Sequence, residues 1–348
     1  MSEKELLKSL CKAHAPSGRE HLIYPIIKEA FEIFGEVSLG DTNNVYVHKK
    51  GKGNGKRSVM LMAHSDEVFL MITSISENGF LKFKGIGIDA KTLVSQEVII
   101  HGKKDILGII GIKPPHLMTD EEKTQAVTVE GLLIDTGVAK EEIETLVNIG
   151  DFVTLKRNFY ELLNDNVVCK AIDDRAGVVA MYVCAKELQN INHDVDVYFV
   201  CSCQEEVGHR GAKMGSFKLN PTIGIAIDTT FDCGALGDTD RENKLGFGPS
   251  ICVGPNVHPK LRKKLIEVAK EYNIPYQIEV EPGNTGTDAW DIQISREGIP
   301  TLLLSIPIKY MHTSVEMVNM ADIKNTGRII AKLIEKLNGE ELEELLCF

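Results

Sequence analysis

The chain contains 348 residues, of which 43% are hydrophobic and 26% charged, and it carries a formal net charge of −11 with a pI near 5.5. This composition predicts a globular protein with room for one main domain and an inserted one, and the negative charge argues against nucleic acid or an anionic membrane as the main partner. No apolar run approaches the roughly 20 residues of a membrane span, and the eight cysteines are few for this length, so we expect a cytoplasmic protein whose cysteines are reduced and packed in the core.

The N-terminal segment predicts two helices followed by two strands. Charges alternate with leucines in residues 1–12, which is typical of an amphipathic helix and not of a signal peptide. Ser17 and Glu20 have the spacing of a capping box and predict that a second helix begins there. Residues 43–50 and 58–64 have the composition of strands.

The pattern changes between residues 68 and 163. Short alternating or apolar runs are separated by glycine and proline there, with one brief helix predicted near residues 139–147. Many short strands of this kind are typical of a small β-barrel or β-sandwich. We therefore predict that residues 68–163 form an inserted β-rich domain.

Longer strands alternate with helices from residue 164 onward, which is the pattern of an α/β domain. Strands are predicted at 194–203, 222–228, 276–281 and 300–307, and helices at 176–190, 259–273, 289–298 and 320–338. The predicted fold class is therefore α/β, with a mixed, mainly parallel sheet flanked by helices. Residues 1–67 and 164–348 would form this domain, and the small β-barrel would be inserted into it.

Histidines and acidic residues follow the ends of five strands in the α/β part. Ligand sites in open α/β sheets form beyond the carboxyl ends of the strands, so we expect these side chains to share one rim. They are His64 and Asp66, Asp173, Glu205 and Glu206, Asp228, and His312.

Two imidazoles and at least three carboxylates suit a pair of borderline divalent cations such as zinc. If Asp173 bridged the pair, each cation could take one histidine and one further carboxylate, with room for a water between them. Glu205 and Glu206 would point in opposite directions on an extended chain, and a buried carboxylate needs a cationic partner. We therefore expect one of the two glutamates to bind metal and the other to take a proton from the water.

Each of these motifs has a simpler explanation when it is taken alone. His64 could be an ordinary residue after a strand, Asp173 and Asp174 could cap a helix, and the glutamate pair could lie in a solvated turn. Short motifs also match by chance at a high rate. Their occurrence at successive strand ends is what favours a metal site.

Eight motifs extend this pattern through the whole chain: APSGRE (15–20), AHSDEV (63–68), KPPH (113–116), GDFV (150–153), AIDDRAG (171–177), QEEVGHRGA (204–212), GTDAWDI (286–292) and GIPTLLLSIPIKYMHTSVE (298–316). In this order they resemble the TET-type dinuclear metallo-aminopeptidases, peptidase family forty-two. That family includes glutamyl and deblocking aminopeptidases, and some members have been labelled endoglucanases. The resemblance implies a metal-dependent aminopeptidase that acts on peptides.

The resemblance also implies a metal ligand set. His64 and Asp228 would hold one cation, Glu206 and His312 the other, and Asp173 would bridge them. The two divalent cations of each chain would be zinc or cobalt.

Further roles follow from the same resemblance. Glu205 would be the general base and then the acid that protonates the leaving amine, and Asp66 would orient the imidazole of His64. A cis peptide bond is implied at Asp173–Asp174. The β-rich insert would serve as a dimerisation and lid domain, in a homo-oligomer that ranges from a dimer to a tetrahedral dodecamer.

Two residues depart from the family pattern. Phe69 stands where glycine is usual, and His209 stands where leucine is common. Neither is a predicted metal ligand. Both are expected near the pocket, so we expect them to affect substrate preference.

Two other functions compete with the aminopeptidase. An endoglucanase-type glycoside hydrolase would use two carboxyl groups without a metal, but aromatic residues make up only 6% of the chain, with one tryptophan to stack on sugars. A non-catalytic peptide-binding relative would be expected to have lost the base or a ligand, and none is missing. The sequence contains neither the G-x-S-x-G motif of serine hydrolases nor the H-E-x-x-H motif of zincins.

Overall fold

The computed structural model describes residues 1–53, 57–234, 243–337 and 339–346. Within these residues the chain forms a mixed sheet flanked by helices and a separate closed β-barrel. The predicted fold class is confirmed. No helix in this part of the chain is both long and apolar enough to cross a membrane.

The strands fall into three groups along the chain. The first group belongs to the main sheet: β1 (Glu36–Leu39), β2 (Val45–Lys49) and β3 (Ser58–His64). The next group forms the barrel: β4 (Phe69–Ile75), β5 (Leu81–Ile86), β6 (Glu97–His101), β7 (Asp105–Ile112), β8 (Leu132–Asp135) and β9 (Phe152–Leu155). The last group returns to the main sheet: β10 (Tyr160–Glu161), β11 (Asn166–Cys169), β12 (Asp196–Ser202), β13 (Ile223–Phe231), β14 (Ser250–Val253), β15 (Gln277–Val280), β16 (Thr301–Lys309) and β17 (Glu316–Asn319).

The helices flank the main sheet or connect the barrel strands. They are α1 (Glu3–Lys12), α2 (Tyr24–Phe31), α3 (Ala90–Leu93), α4 (Asp120–Thr124), α5 (Lys140–Leu146), α6 (Ile172–Glu187), α7 (Arg210–Leu219), α8 (Pro259–Glu271), α9 (Asp288–Gln293), α10 (Met320–Lys336) and α11 (Gly339–Leu346). Six of them overlap helices that the sequence predicts: α1, α5, α6, α8, α9 and α10.

The centre of the main sheet is parallel and its borders are antiparallel. Strands β12, β3, β13 and β16 run parallel in that spatial order, between β2 on one side and β17 on the other. Residues 59–63 of β3 are all buried, because α6, α7 and α9 all pack against this strand. A strand covered on both faces needs an unbroken apolar run, which explains why this segment does not alternate.

The barrel has a hydrophobic core of its own. Its strands close in the order β4-β5-β8-β7-β6-β9, and side chains such as Leu70, Phe83 and Val153 fill the interior. Strand β7 alternates between buried and exposed residues, as a barrel strand with one solvated face should. Its outward positions include Leu107 and Ile109, which are 47% and 43% exposed.

Two local predictions differ from the structure. The second helix does not begin at a capping box, because residues Glu20–Leu22 form a 3₁₀ turn and α2 begins only at Tyr24. Helix α7 is absent from the predicted elements. Its buried face consists of Gly211, Ala212, Gly215 and Ser216, so it lacks the periodic large apolar residues that indicate a helix.

The cysteines pack as the composition predicts. None of the seven described cysteines forms a disulfide, and six of them are buried, with Cys233 half-buried. The eighth, Cys347, lies outside the described residues.

Candidate active site

The parallel strands bring the predicted site residues to one edge of the main sheet. His64 is the last residue of β3 and pairs in register with Ser202, the last residue of β12. Asp228 lies in β13 opposite Ser305 of β16. Parallel strands that end at the same edge place the residues that follow them close together. The segments after β11, β12 and β16 supply the rest: Asp173, the two glutamates and His312.

Two groups of side chains at this edge have the spacing of metal ligands. The first consists of His64, Asp173 and Asp228, and the second of Asp173, Glu206 and His312, with the donor atoms of each group within 4.8 Å of one another. Nε2 of His64 lies 3.1 Å from Oδ1 of Asp173, and Nε2 of His312 lies 3.4 Å from Oδ2 of the same carboxylate. Asp173 is therefore shared by both groups through different oxygens.

Glu205 lies beside these groups but belongs to neither. Its Oε2 atom is 3.9 Å from Nε2 of His64, and the residue is buried. Both glutamates line the same cavity, although adjacent residues of an extended chain would diverge. The expected divergence fails because β12 ends at Ser202 and Gln204 adopts a left-handed conformation, with φ of 55°.

Asp66 organises the turn that carries the glutamates. Its carboxylate accepts hydrogen bonds from the backbone N–H groups of Glu205 and Glu206, at 3.1 and 3.4 Å, and from the hydroxyl of Ser17 at 2.5 Å. Its distance to Nδ1 of His64 is 3.5 Å, which is too long for a good hydrogen bond. The spacing of Ser17 to Glu20 predicts that Ser17 caps a helix. In the structure Ser17 instead binds Asp66 at the site.

The segment that carries Asp173 is held by Glu316, a residue to which the sequence motifs assign no role. The Glu316 carboxylate accepts hydrogen bonds from the backbone N–H groups of Ile172, Asp173 and His312, at 2.6, 3.1 and 2.8 Å. The peptide bond between Asp173 and Asp174 is cis, as the resemblance implied. In the sequence, Glu316 appears only as the last residue of the motif at 298–316, four residues after His312.

The electrostatics of the cluster fit divalent cations. Burial, together with the neighbouring carboxylates of Asp174 and Glu205, raises the pKa of Asp228 well above its ordinary value. Burial opposes the charging of His312, but the carboxylates of Asp173 and Glu206 outweigh it and raise the pKa of this imidazole to about 11. Several carboxylates buried close together require positive charge to stabilise their ionised forms, and bound cations would supply it.

Three buried polar atoms lie beside the cluster without a hydrogen-bond partner in the described part of the chain. Nδ1 of His64, Oδ2 of Asp174 and Oδ1 of Asp288 have no hydrogen-bond partner among the described residues. The donor set of imidazoles and carboxylates suits borderline divalent ions such as zinc or cobalt. These residues therefore fit a metal centre.

A cavity of about 360 Å³ opens above the cluster. Its floor contains the predicted ligands and Glu205, and its walls include Phe231, Glu279, Glu281 and Met311. Phe69 and His209 are not among the described residues that line it. Phe69 packs against the ring of Phe152, with ring centroids 5.2 Å apart, and His209 lies behind Glu205.

Known proteins resemble this chain in sequence and in fold. A family model described as M42 glutamyl aminopeptidase matches residues 43–329. A lysyl aminopeptidase from Pyrococcus furiosus is 37% identical over 350 residues, which cover 97% of this chain and 98% of the relative.

Solved structures give the same result for the fold. A TET aminopeptidase from a marine sediment Thaumarchaeota archaeon has a TM-score of 0.93 at 30% identity and covers 99% of both chains. The TET1 peptidase of Pyrococcus horikoshii, described as assembling into a tetrahedron or a large octahedral shell, has a TM-score of 0.84 at 32% identity, covering 97% of this chain and 100% of that one. A Thermotoga maritima structure described as an endoglucanase also matches, with a TM-score of 0.78 at 26% identity over 97% and 99% of the two chains.

Proposed function

Since the chain belongs to the M42 family of glutamyl aminopeptidases, we propose that it is a dinuclear metallo-aminopeptidase that removes N-terminal residues from peptides. The observation that carries this proposal is the pair of candidate ligand groups that share Asp173 in the floor of a cavity, with Glu205 beside them. The cavity is of the size that small-molecule sites use, so it can hold the end of a peptide.

The metal ligands in this proposal are the five residues of the two groups. His64 and Asp228 would hold one divalent cation, Glu206 and His312 would hold the other, and Asp173 would be shared by both. When bound, two such cations supply Lewis-acid polarisation of the peptide carbonyl and lower the pKa of water. Zinc and cobalt are the ions that this donor set suits best.

Glu205 moves the proton in this mechanism. Its carboxylate takes one proton from the attacking water while the water oxygen bonds to the carbonyl carbon of the first peptide bond. It then gives that proton to the amide nitrogen as the carbon–nitrogen bond breaks, so the shortened peptide leaves with a free amine. The released amino acid carries the new carboxyl group, and Glu205 returns to its starting state.

The two glutamates should fail in different ways when each is changed to glutamine. Glu206→Gln removes an anionic donor, so metal content should fall and activity should recover partly with excess metal. Glu205→Gln keeps the size and polarity of the side chain but cannot accept the proton, so metal content should stay full while kcat falls by about 10²–10⁴. Metal analysis and aminoacyl-nitroanilide kinetics on both variants measure this difference.

Two results would contradict these roles. Near-normal turnover in Glu205→Gln would remove it as the base. Loss of metal in Glu205→Gln with retention in Glu206→Gln would mean that the roles of the pair are exchanged.

The cavity walls favour a positively charged N-terminal side chain. Glu279 and Glu281, at the end of β15, both line the cavity, and Glu279 is held by Thr230 and Asn243. The lysyl aminopeptidase of P. furiosus is a relative that matches this chain over 98% of its own length. We therefore expect lysyl-nitroanilide to be cleaved with a higher kcat/KM than the glutamyl and leucyl substrates. Glu281→Gln should reduce the ratio of the lysyl kcat/KM to the kcat/KM of the other two substrates. An unchanged ratio in the variant would show that Glu281 does not determine the substrate preference.

A chelator distinguishes this function from the glycoside hydrolase. The carboxylates of the site are gathered around two imidazoles, whereas a glycosidase places a pair of carboxyl groups on either side of a sugar. EDTA should abolish peptide hydrolysis, and added zinc or cobalt should restore it. Chelator-resistant cleavage of a β-glucan would favour the endoglucanase, and peptide binding without any turnover would favour the non-catalytic relative.

The remaining roles concern the whole chain. We propose that residues 1–67 and 164–348 form the catalytic domain and that residues 68–163 form a dimerisation and lid domain. Exposed apolar side chains on barrel strand β7 support this division, as does the assembly described for the P. horikoshii relative. The protein would be a cytoplasmic homo-oligomer that ranges from a dimer to a tetrahedral dodecamer and acts on peptides, not on nucleic acid or membranes.

A further inference from the structure

His209 lies between two buried carboxylates behind the candidate active site. Its Nδ1 atom is 2.9 Å from Oδ2 of Asp291 in α9, and its Nε2 atom is 3.2 Å from Oε1 of Glu205. The three side chains therefore form a continuous chain of contacts. Lys213, one turn further along α7, lies 3.5 Å from the other oxygen of Asp291 and adds a positive charge at that end.

The contacts of His209 leave each oxygen of Glu205 with a different environment. Oε1 faces the imidazole, while Oε2 faces Nε2 of His64 at 3.9 Å. The carboxylate is thus held from behind by one oxygen and presents the other to the candidate metal ligands. A general base has to be held in this way, because misplacement of a reacting group by about 1 Å can reduce the rate about a hundredfold.

The position of His209 argues against a role in helix capping or in substrate contact. It stands at the start of α7, but its side chain makes no capping hydrogen bond. Its backbone is left-handed, with φ of 51°, a conformation that is uncommon for a residue with a Cβ atom and that clusters at functional sites. His209 is also not one of the described residues that line the cavity.

We propose that His209 is a positioning residue, anchored by Asp291, that holds Oε1 of Glu205 so that Oε2 faces the candidate metal ligands. This inference rests on the proposed function, in which Glu205 is the base. The bond to Glu205, opposed by burial, raises the pKa of His209 to about 9, so at neutral pH the ring donates to both carboxylates. A leucine at position 209 could fill the same space but could hold neither carboxylate.

Three variants test this arrangement. His209→Leu removes both contacts, Asp291→Asn weakens the anchor, and His209→Gln keeps an amide that can donate to Glu205. His209→Leu should lower kcat by about tenfold to a hundredfold. Its KM, metal content and melting temperature should change little. His209→Gln should recover part of the lost kcat, and Asp291→Asn should lie between the wild type and His209→Leu.

Crystal structures of the variants provide a measurement that does not depend on activity. The Glu205 carboxylate should turn away from its wild-type position in His209→Leu and keep it in His209→Gln. The matched control is His48→Gln, because His48 forms a similar pair with Asp196, at 3.1 Å, at the opposite end of β12. Its kcat and the position of Glu205 should equal those of the wild type.

The outcomes separate this inference from the proposed function. If the wild type hydrolyses no peptide, the proposed function fails, and the position of Glu205 in the variant structures alone decides the role of His209. Wild-type kcat in His209→Leu, or a Glu205 carboxylate that stays in place without the imidazole, would overturn the inference. A loss of activity that is matched by loss of metal or of melting temperature would also overturn it, because His209 would then support the fold and not the base.

Discussion

At the residue scale, Glu67 shows how the chain stabilises the loop that follows His64. Its carboxylate is buried and contacts Nζ of Lys170 at 2.6 Å and Nη2 of Arg175 at 3.1 Å, and it accepts a hydrogen bond from the backbone of Ala15. Burial alone would raise the pKa of Glu67, but the two cations outweigh it and lower this pKa to about 2. The cluster joins the N-terminal segment to β3 and to α6.

The Glu67 cluster predicts a stability difference that depends on pH. Glu67→Gln leaves two cationic side chains buried without their anion, which should reduce the free energy of unfolding by about 3–5 kcal/mol near neutral pH. Because the folded-state pKa lies below the ordinary value of 4.5, the wild type has this stabilisation fully above pH 4.5 and loses it as the pH falls toward 2. Thermal unfolding between pH 7 and pH 2.5 measures both effects.

The matched control for this prediction is Glu77→Gln. Glu77 pairs with Lys140 at 2.7 Å, but its side chain is 90% exposed, so loss of this solvated ion pair should change the stability little. Equal destabilisation by the two substitutions would show that burial of the Glu67 cluster has no special energetic role.

At the element scale, the contact between α10 and α6 depends on Gly327. A Cβ atom at this position would lie 2.4 Å from the backbone oxygen of Ala180 and 2.6 Å from Cβ of Val183. The backbone of α6 cannot move away easily, because α6 is buried along most of its length between the sheet and its neighbouring helices. Glycine therefore sets how closely the two helices approach.

Gly327→Ala should destabilise the protein although alanine favours helices. Alanine gains about 1 kcal/mol of helix propensity over glycine, but overpacking a rigid contact costs about 1–3 kcal/mol and more when backbone atoms clash. We expect a lower melting temperature with unchanged active-site geometry. Arg328→Ala, at the next and exposed position, is the control and should shift the melting temperature little. A higher melting temperature for Gly327→Ala would mean that α10 and α6 can move apart without loss of stability.

At the scale of the whole molecule, the barrel has apolar side chains on its exposed surface. Leu107 and Ile109 point outward from β7, on a strand whose inward residues already fill the barrel core. Apolar side chains that gather on one exposed surface are typical of a contact between subunits. This surface is where we expect the dimer to form.

Charges placed on that surface should therefore break the dimer. The double variant Leu107→Lys, Ile109→Lys should give a smaller particle in light scattering than the wild type, because two buried ammonium groups facing their copies repel and cannot be solvated. Ile33→Lys, which changes a 66% exposed isoleucine outside the barrel, is the control and should leave the particle size unchanged. The same mass for the double variant and the wild type would place the dimer contact elsewhere.

The sequence by itself determined the fold class, the family and the set of candidate ligands. Unbroken apolar runs such as that of β3 predict buried parallel strands, because only a strand covered on both faces needs them. Strand ends in a parallel sheet meet at one edge, so His64, Asp173 and Asp228 could be grouped from their positions after strands alone. These features depend on local pattern and on a general rule of topology.

Only the tertiary structure decided how the side chains of the site are held. The left-handed turn at Gln204 brings both glutamates into one cavity, Ser17 binds Asp66 and does not cap a helix, and Glu316 holds the segment of Asp173. His209 contacts Glu205 and does not line the cavity. Such contacts join residues that are far apart in the chain, and each polar side chain has several partners within its chemical reach, so their choice depends on the packing of the whole domain.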